Sequence, residues 1–379
     1  MEIPASTIQS HTPESSTDTS MFSGLNLIQL LIGIMGIIGN FLVCFIFLHK
    51  RTQRNQINLL ITNQAFIDLF SSVLLVMHQM YKTVGNFGIK GDILQAVNCY
   101  LWRSQLILFS TFAVSTFNLT VISVERYFAT IYPLSYKKVF TRKNMRYLIA
   151  AVWLISPILQ YVIVWQTYTY RNGHCDIEWS LASVGVLLFF WEYMAPVSVM
   201  TFSFFCITRR LKQLNQIVHG NVSNAENGDD TQPETSGLAA ISSGPSKDER
   251  GESMTSMRRQ HPRQTPIVPY SPAATHQTLP TSNQIIHRDN EVSIRRRNVT
   301  KALLVVYLVY VICWSPNQWA FFQLNLGGRL NYGNFFYKFS IVLAISNSCV
   351  NPFIYAFRHK AYRERLKELW RGCSFSLCL

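Results

Sequence analysis

Residues 335–357 read FFYKFSIVLAISNSCVNPFIYAF, a run of 23 residues in which Lys338 is the single charged side chain. A helix needs about 20 mostly apolar residues to cross a hydrocarbon core of about 30 Å, so this run can span a membrane. Six comparable runs precede it, at 25–48, 57–80, 104–128, 147–168, 181–207 and 299–322. The sequence therefore predicts an all-α membrane protein, a bundle of seven transmembrane helices.

The composition agrees with this fold and excludes other classes. Of 379 residues, 49% are hydrophobic and 14% are charged, about half the charged fraction of soluble domains. The net charge of +14 lies between long apolar runs rather than on one solvated face, which argues against a nucleic-acid binder. Eight cysteines without a C-x-x-C pair argue against a disulfide scaffold, a zinc site and thioredoxin-like chemistry.

The basic residues predict the orientation of the bundle. With the spans placed, 28 of the 34 Lys and Arg residues fall on one side, which should be cytoplasmic. The N-terminus is then extracellular and the C-terminus cytoplasmic. The expected organisation is an extracellular disordered tail at 1–24, membrane helices with their loops at 25–213, a disordered third cytoplasmic loop at 214–294, the last two membrane helices at 295–357, and a short amphipathic eighth helix with the cytoplasmic tail at 358–379.

Several motifs fall in order along the seven spans. They are Gly39-Asn40, Asp68, Glu125-Arg126-Tyr127, Trp153, Pro196, Cys313-Trp314-Ser315-Pro316 and Asn351-Pro352-Phe353-Ile354-Tyr355. This ordered set resembles the rhodopsin-like family of G-protein-coupled receptors over all seven helices. The resemblance assigns G-protein coupling and activation to Glu125, Arg126, Tyr127, Trp314, Pro316, Asn351, Pro352 and Tyr355.

Asp68 is an ionisable residue within an apolar span, a placement that favours a functional role. The resemblance implies a sodium ion held by the oxygen-bearing side chains of Asp68, Ser115, Asn347 and Asn351. A structural polar network between helices is the alternative. No other cofactor is expected.

Two pairs of cysteines are expected to be modified. Cys99 and Cys175 both fall on the oxidising side, and we expect a disulfide between them. Because Cys99 precedes Arg126 by two residues more than is usual in the family, the local turn should differ. Cys373 and Cys378 follow the amphipathic segment and are candidates for palmitoylation, with free thiols as the alternative.

The chain also departs from the family at four positions that affect signalling. Arg296 stands where many relatives carry an acid that holds Arg126, and Phe204 replaces the usual Tyr. Thr116 and Tyr310 replace the usual Ile and Phe beneath the ligand. These departures predict a less stable inactive state and elevated basal signalling.

The expected ligand site argues against two common chemistries, an amine held by an Asp of the third span and a retinal Schiff base. Leu108 stands where amine receptors carry an Asp, and Ile345 stands where opsins carry the retinal Lys. The candidate lining is rich in amides and aromatic rings: His78, Gln79, Gln105, Phe109, Phe112, Glu192, Asn317, Gln318, Phe321 and Tyr337. Such a lining suits a neuropeptide-like ligand, with a small amine or a lipid as the alternative.

The most specific hypothesis about this ligand concerns Glu192. A carboxylate among apolar neighbours is costly unless it is paired or wet, and the adjoining spans offer no Lys or Arg at a comparable depth. The ligand would then supply the cation, with Gln318 as a neighbouring polar contact. A protonated, purely structural Glu192 is the alternative.

Two other functional classes are less consistent with the sequence. A transporter would usually show internal repeats with broken helices, and none is seen. An enzyme would need a nucleophile and base at credible spacing, and none is found. The expected partners are a heterotrimeric G protein, arrestin and kinases at the cytoplasmic loop and tail, and membrane lipids of the plasma membrane.

Overall fold

The computed structural model describes residues 16–48, 56–84, 91–177, 182–226, 282–329, 334–358, 362–368 and 371. Its helices are α1 Ser16–Leu48, α2 Gln56–Val84, α3 Asp92–Val97, α4 Leu106–Ile131, α5 Pro133–Val139, α6 Arg142–Thr167, α7 Ala182–Leu188, α8 Ala195–Glu226, α9 Ser282–Asn325, α10 Phe335–Arg358 and α11 at 362–368. The π-helical turn Asn98–Arg103 follows α3, and a second, Phe189–Met194, joins α7 to α8. The strands β1 Tyr168–Arg171 and β2 His174–Ile177 pair antiparallel.

Seven helical segments among the described residues are long and apolar enough to cross a membrane, which confirms the predicted fold class. They are Gly24–Leu48, Gln56–Thr83, Asp92–Ile131, Arg142–Thr167, Ser183–Leu214, Arg297–Asn325 and Phe335–Arg358, here called spans 1 to 7. Residues 1–215 and 291–379 form one compact unit. In the other unit, residues 216–290, the described parts are helical.

Buried polar side chains lie within the apolar core of the bundle, and large apolar side chains lie on its surface. Asp68, Gln64 and Asn118 are at most 1% exposed, whereas Ile38, at 65%, and Leu154, at 70%, lie on the surface. Surface side chains of this kind suit lipid rather than water.

Gly39 and Asn40 bring α1 close to α10. A Cβ at position 39 would lie 2.9 Å from Cγ of Pro352, so the close approach requires glycine. Pro352 has no N–H to bond the carbonyl of Ser348 one turn earlier in the helix. Nδ2 of Asn40 donates to that carbonyl at 2.7 Å, which satisfies the buried acceptor.

The start of span 3 has an unusual backbone that accommodates the expected extra residues before Arg126. The π-helical turn Asn98–Arg103 is followed by Gln105, whose φ of 55° interrupts the helix before α4. A π-turn adds residues per turn, and the interruption lets α4 start in a new direction. The backbone before α4 is thus irregular, and its difference from the turn usual in the family stays a prediction.

A disulfide ties this turn to the β-hairpin that follows span 4. Cys99 and Cys175 are bonded, with 5.7 Å between their Cα atoms, as predicted. The hairpin turns at Asn172 and Gly173, both with positive φ, which is typical of a tight two-residue connection.

The helix ends differ from the expected domain boundaries. Helix α1 begins at Ser16, within the expected tail. Helix α8 ends at Glu226 and helix α9 begins at Ser282, and both of these ends lie within the expected loop. Residues 197–219 and 281–315 contain neither Pro nor Gly, and α8 continues past Gly220 to Glu226. Residues 1–15 and 227–281 lie outside the described part of the chain.

Helix α11 packs on span 1 through two aromatic rings. Tyr362 is buried and stacks on Phe47, with 6.1 Å between the ring centroids. Burial raises the pKa of the Tyr362 hydroxyl to about 12. The expected lipidation sites Cys373 and Cys378 lie outside the described residues.

Candidate functional site

A cavity with two adjoining lobes opens between the spans. The lobes share the walls formed by Phe109, Phe112, Trp314 and Asn317. The first lobe, here called the acidic lobe, is also lined by Ala113, Thr116, Gln160, Leu188, Glu192, Tyr310, Gln318 and Phe321. The second, the amide lobe, is also lined by Gln29, Leu75, His78, Gln79, Gln105, Leu108, Ile341, Ala344 and Ile345.

The structure brings together nine of the ten expected ligand-site residues. Glu192, Gln318 and Phe321 line the acidic lobe, and His78, Gln79 and Gln105 line the amide lobe, with the other three in the shared wall. Tyr337 is buried and is not part of the lining of either lobe.

Glu192 lies in the π-helical turn Phe189–Met194 and faces Gln160 of span 4. Nε2 of Gln160 donates to Oε1 of Glu192 at 2.5 Å, and Gln160 itself is 5% exposed. No Lys or Arg is among the residues that line either lobe. Within the described chain, Glu192 is therefore held by a neutral donor and not by a cation.

The amide lobe has its own hydrogen-bonded pair. Nε2 of Gln79 donates to Oε1 of Gln29, which joins spans 2 and 1. Oε1 of Gln79 is buried and has no hydrogen-bond partner among the described residues. This lobe can therefore offer an amide oxygen to a ligand donor.

The floor of the cavity contains two of the departures from the family. The hydroxyls of Thr116 and Tyr310 are 3.2 Å apart and buried, and they form a hydrogen bond. Trp314 packs edge-on against Phe112, with 5.4 Å between the ring centroids. The hydrogen bond between Thr116 and Tyr310 therefore links spans 3 and 6, and it depends on direction as an apolar contact would not.

Hydroxyl pairs also link spans 5 and 6. The hydroxyls of Tyr193 and Ser315 are bonded to each other, and those of Thr201 and Tyr307 lie 2.6 Å apart. Phe204 stacks on Tyr307, with 5.3 Å between the centroids. Tyr307 therefore carries a hydroxyl beside Phe204. This hydroxyl forms a hydrogen bond with Thr201 and so joins span 6 to span 5.

Asp68 accepts hydrogen bonds from three side chains. Ser115 donates to its Oδ1 at 3.2 Å, Asn351 donates to its Oδ2 at 2.8 Å, and Gln64 donates to both oxygens at 3.0 and 3.2 Å. Three of the four expected sodium ligands are therefore in direct contact. Gln64 was not anticipated.

The donor set fits a small hard cation. Oδ1 of Asn347 and Oδ1 of Asn351 are buried and have no hydrogen-bond partner in the described chain. These amide oxygens, with the Asp68 carboxylate, are the ligand type that such ions prefer. A site made of His, Cys, Asp and Glu together is not found among the described residues.

The Glu125-Arg126-Tyr127 motif forms a buried ion pair near the other end of span 3. Arg126 donates from Nε and Nη2 to the two carboxylate oxygens of Glu125, both at 2.5 Å. Tyr136 of α5 adds a third donor, its hydroxyl lying 2.7 Å from Oε1 of Glu125. The side chain of Arg296 lies outside the described residues. Tyr127 packs among rings, 5.9 Å from the centroid of Phe202.

The two proline motifs also take their expected places. Pro316 and Pro352 lie inside α9 and α10, where each removes a backbone hydrogen bond. Tyr355 is fully buried, and its hydroxyl has no partner in the part of the chain that the structure describes.

The structure has the features of a membrane receptor. They are a seven-helix bundle with an inner cavity, a buried network around Asp68 and a charged pair at the end of span 3. The family model described as the seven-transmembrane receptors of the rhodopsin family matches residues 39–355, and the chain belongs to this family. It is thus a G-protein-coupled receptor and not an enzyme.

The relatives include receptors for different ligands. The chain is 25% identical to a cholecystokinin receptor of Xenopus laevis, over 90% of this chain and 76% of the relative. It is 25% identical to the gastrin/cholecystokinin type B receptor of Rattus norvegicus, over 90% and 78%. It is also 23% identical to the octopamine receptor beta-2R of Chilo suppressalis, over 96% and 83%.

Proposed function

We propose that the chain is a receptor for a peptide-like ligand that carries a cationic group, and that this group binds Glu192. The observation that carries the proposal is the acidic lobe: it holds one carboxylate, and its lining contains no Lys or Arg. A carboxylate that is partly shielded from water attracts a cation more strongly than one in bulk water. The rings of Phe112, Phe321 and Trp314 can add cation–π attraction.

Gln160 supports this role because it positions the carboxylate. Its amide donates to Oε1 of Glu192, so it holds the side chain without neutralising its charge. Oε2 makes no hydrogen bond with a described residue and is available to a ligand. The amide lobe suits the peptide groups of the same ligand, since backbone amides pair with Gln side chains.

The relatives support a peptide more than an amine. Two of the named relatives are receptors for cholecystokinin or gastrin, and one is an octopamine receptor. In this chain Leu108 lines the amide lobe at the position where amine receptors carry an Asp. Among the residues that line the two lobes, Glu192 is the carboxylate that a small amine could bind, and an amine is therefore the second candidate.

The proposal extends to a sodium ion at Asp68. Its ligands would be the Asp68 carboxylate, Ser115, Asn347 and Asn351, and the ion would neutralise the buried carboxylate. In that role it favours one packing of the helices, and agonists that prefer another packing bind less tightly.

The remaining expectations complete the proposed function. The receptor lies in the plasma membrane with its N-terminus outside and its C-terminus in the cytoplasm, and the G protein binds at the end of span 3 near Arg126. Arrestin and kinases act on the third cytoplasmic loop, residues 214–294, and on the C-terminal tail. Palmitoylation of one or both of Cys373 and Cys378 anchors the tail to membrane lipids.

A ligand screen tests the proposed function. Cells that express the chain are exposed to libraries of peptides and amines, each present as a cationic compound and as its acetylated, neutral analogue. G-protein dissociation sensors report activation. Cationic peptides are expected to activate the receptor and their neutral analogues to fail. Activation by neutral compounds alone would contradict the role of Glu192.

A further inference from the structure

Gln64 is a fully buried glutamine at the centre of the Asp68 network. It lies in α2 one helical turn before Asp68, so both side chains are on one face of the helix. Its Nε2 is 3.0 and 3.2 Å from the two carboxylate oxygens and 2.6 Å from Oγ of Ser115. One amide group thus engages two of the four expected ligands of the sodium ion.

The orientation of this amide is set by a chain of hydrogen bonds that begins at Trp153. The indole N–H can only donate, and it donates to Oδ1 of Asn63 at 3.1 Å. Nδ2 of Asn63 then donates to Oδ1 of Asn118 at 2.9 Å, and Nδ2 of Asn118 donates to Oε1 of Gln64 at 2.8 Å. Since the oxygen of Gln64 is held by Asn118, its N–H groups must point to Asp68 and Ser115.

We infer that Gln64 competes with the cation at Asp68 and so sets the sodium affinity of the receptor. The amide presents only positively polarised hydrogens to the carboxylate. These hydrogens occupy directions from which an ion would bind, and they repel it. The hydrogen bond to Oγ of Ser115 likewise uses a lone pair that an ion needs. This inference rests on the proposed sodium site.

Removing the amide should therefore strengthen sodium binding. In Gln64→Leu, Asp68 keeps its bonds from Ser115 and Asn351 but loses the donor that lies across both oxygens. A hydrogen bond to a charged group contributes enough that its loss should lower the sodium concentration for half-maximal effect about tenfold. Gln64→Met, which preserves length but donates nothing, should behave in the same way.

Thermal unfolding of the purified full chain tests the inference without any agonist. The melting temperature is measured in detergent at pH 8, with sodium chloride replaced stepwise by choline chloride at constant chloride. Wild type should be stabilised by sodium, and Gln64→Leu or Gln64→Met should reach half of its stabilisation at about tenfold lower sodium. Asp68→Asn should not respond to sodium.

Gln29→Leu is the matched control, since it also replaces a buried glutamine but lies outside the Asp68 network. Its sodium dependence should equal that of wild type. If wild type responds through Asp68 but the Gln64 variants need the same sodium or more, the inference is overturned and the sodium site stands. If sodium stabilises neither wild type nor the Gln64 variants, both the site and the inference fail, whereas the proposed ligand is untouched.

Discussion

Thr116 and Tyr310 share a buried hydrogen bond at the floor of the cavity, with 3.2 Å between their hydroxyl oxygens. Each residue is at most 5% exposed, so a hydroxyl that loses its partner has little access to water. A buried hydroxyl without a partner costs about 1–3 kcal/mol, whereas removal of both partners is close to neutral.

This pair therefore predicts a non-additive stability effect. Thr116→Val and Tyr310→Phe should each destabilise the purified receptor by about 1–3 kcal/mol, and the double variant should be more stable than the sum of the two predicts. Melting temperatures of the four proteins measure the coupling. Strictly additive losses would mean that the two hydroxyls do not depend on each other.

Replacing Asn40 should destabilise the contact between α1 and α10. Asn40→Ala leaves the carbonyl of Ser348, already without its helical donor because of Pro352, buried and unpaired. We expect a loss of about 1–3 kcal/mol, seen as a lower melting temperature. Ser71→Ala serves as the control, because that hydroxyl bonds only the carbonyl of Ile67 in its own helix at 2.8 Å. Equal effects of the two substitutions would refute the special role of Asn40.

Replacing Arg126 should affect signalling but not ligand binding. Arg126→Ala should leave binding of an agonist from the ligand screen measurable but strongly reduce nucleotide exchange on the G protein, because Arg126 is outside the cavity lining. Arg365→Ala, which breaks the exposed pair with Glu368 at 2.7 Å, is the control and should signal normally. Full exchange activity in Arg126→Ala would exclude this role.

Much of this architecture was predictable from the sequence because membrane insertion imposes local rules. Twenty apolar residues make a span wherever they occur, so the seven helices follow from the positions of the charges. The bond between Cys99 and Cys175 was expected because both residues were predicted to fall on the oxidising side.

The hydrogen-bond partners were less predictable because they depend on how the spans rotate against one another. Gln160 and Glu192 are 32 residues apart, and their contact requires a π-helical turn that has no clear sequence signal. Gln64 could have been noticed, since an amide in an apolar span four residues before Asp68 is expensive unless it is bonded. Tyr136 reaches Glu125 only because α5 folds back on α4, so its role required the structure.

The charge of Glu192 is the centre of the functional account, and Glu192→Gln removes it while preserving size. The decisive measurement is the affinity of a cationic peptide agonist and of its acetylated neutral analogue for wild type and for this variant. The cationic peptide should lose about 1.5–3 kcal/mol of binding free energy, the range for a charge-assisted hydrogen bond, while the neutral analogue should bind both proteins equally. Equal losses for the two ligands, or no loss for either, would contradict charge pairing and make Glu192 a structural residue.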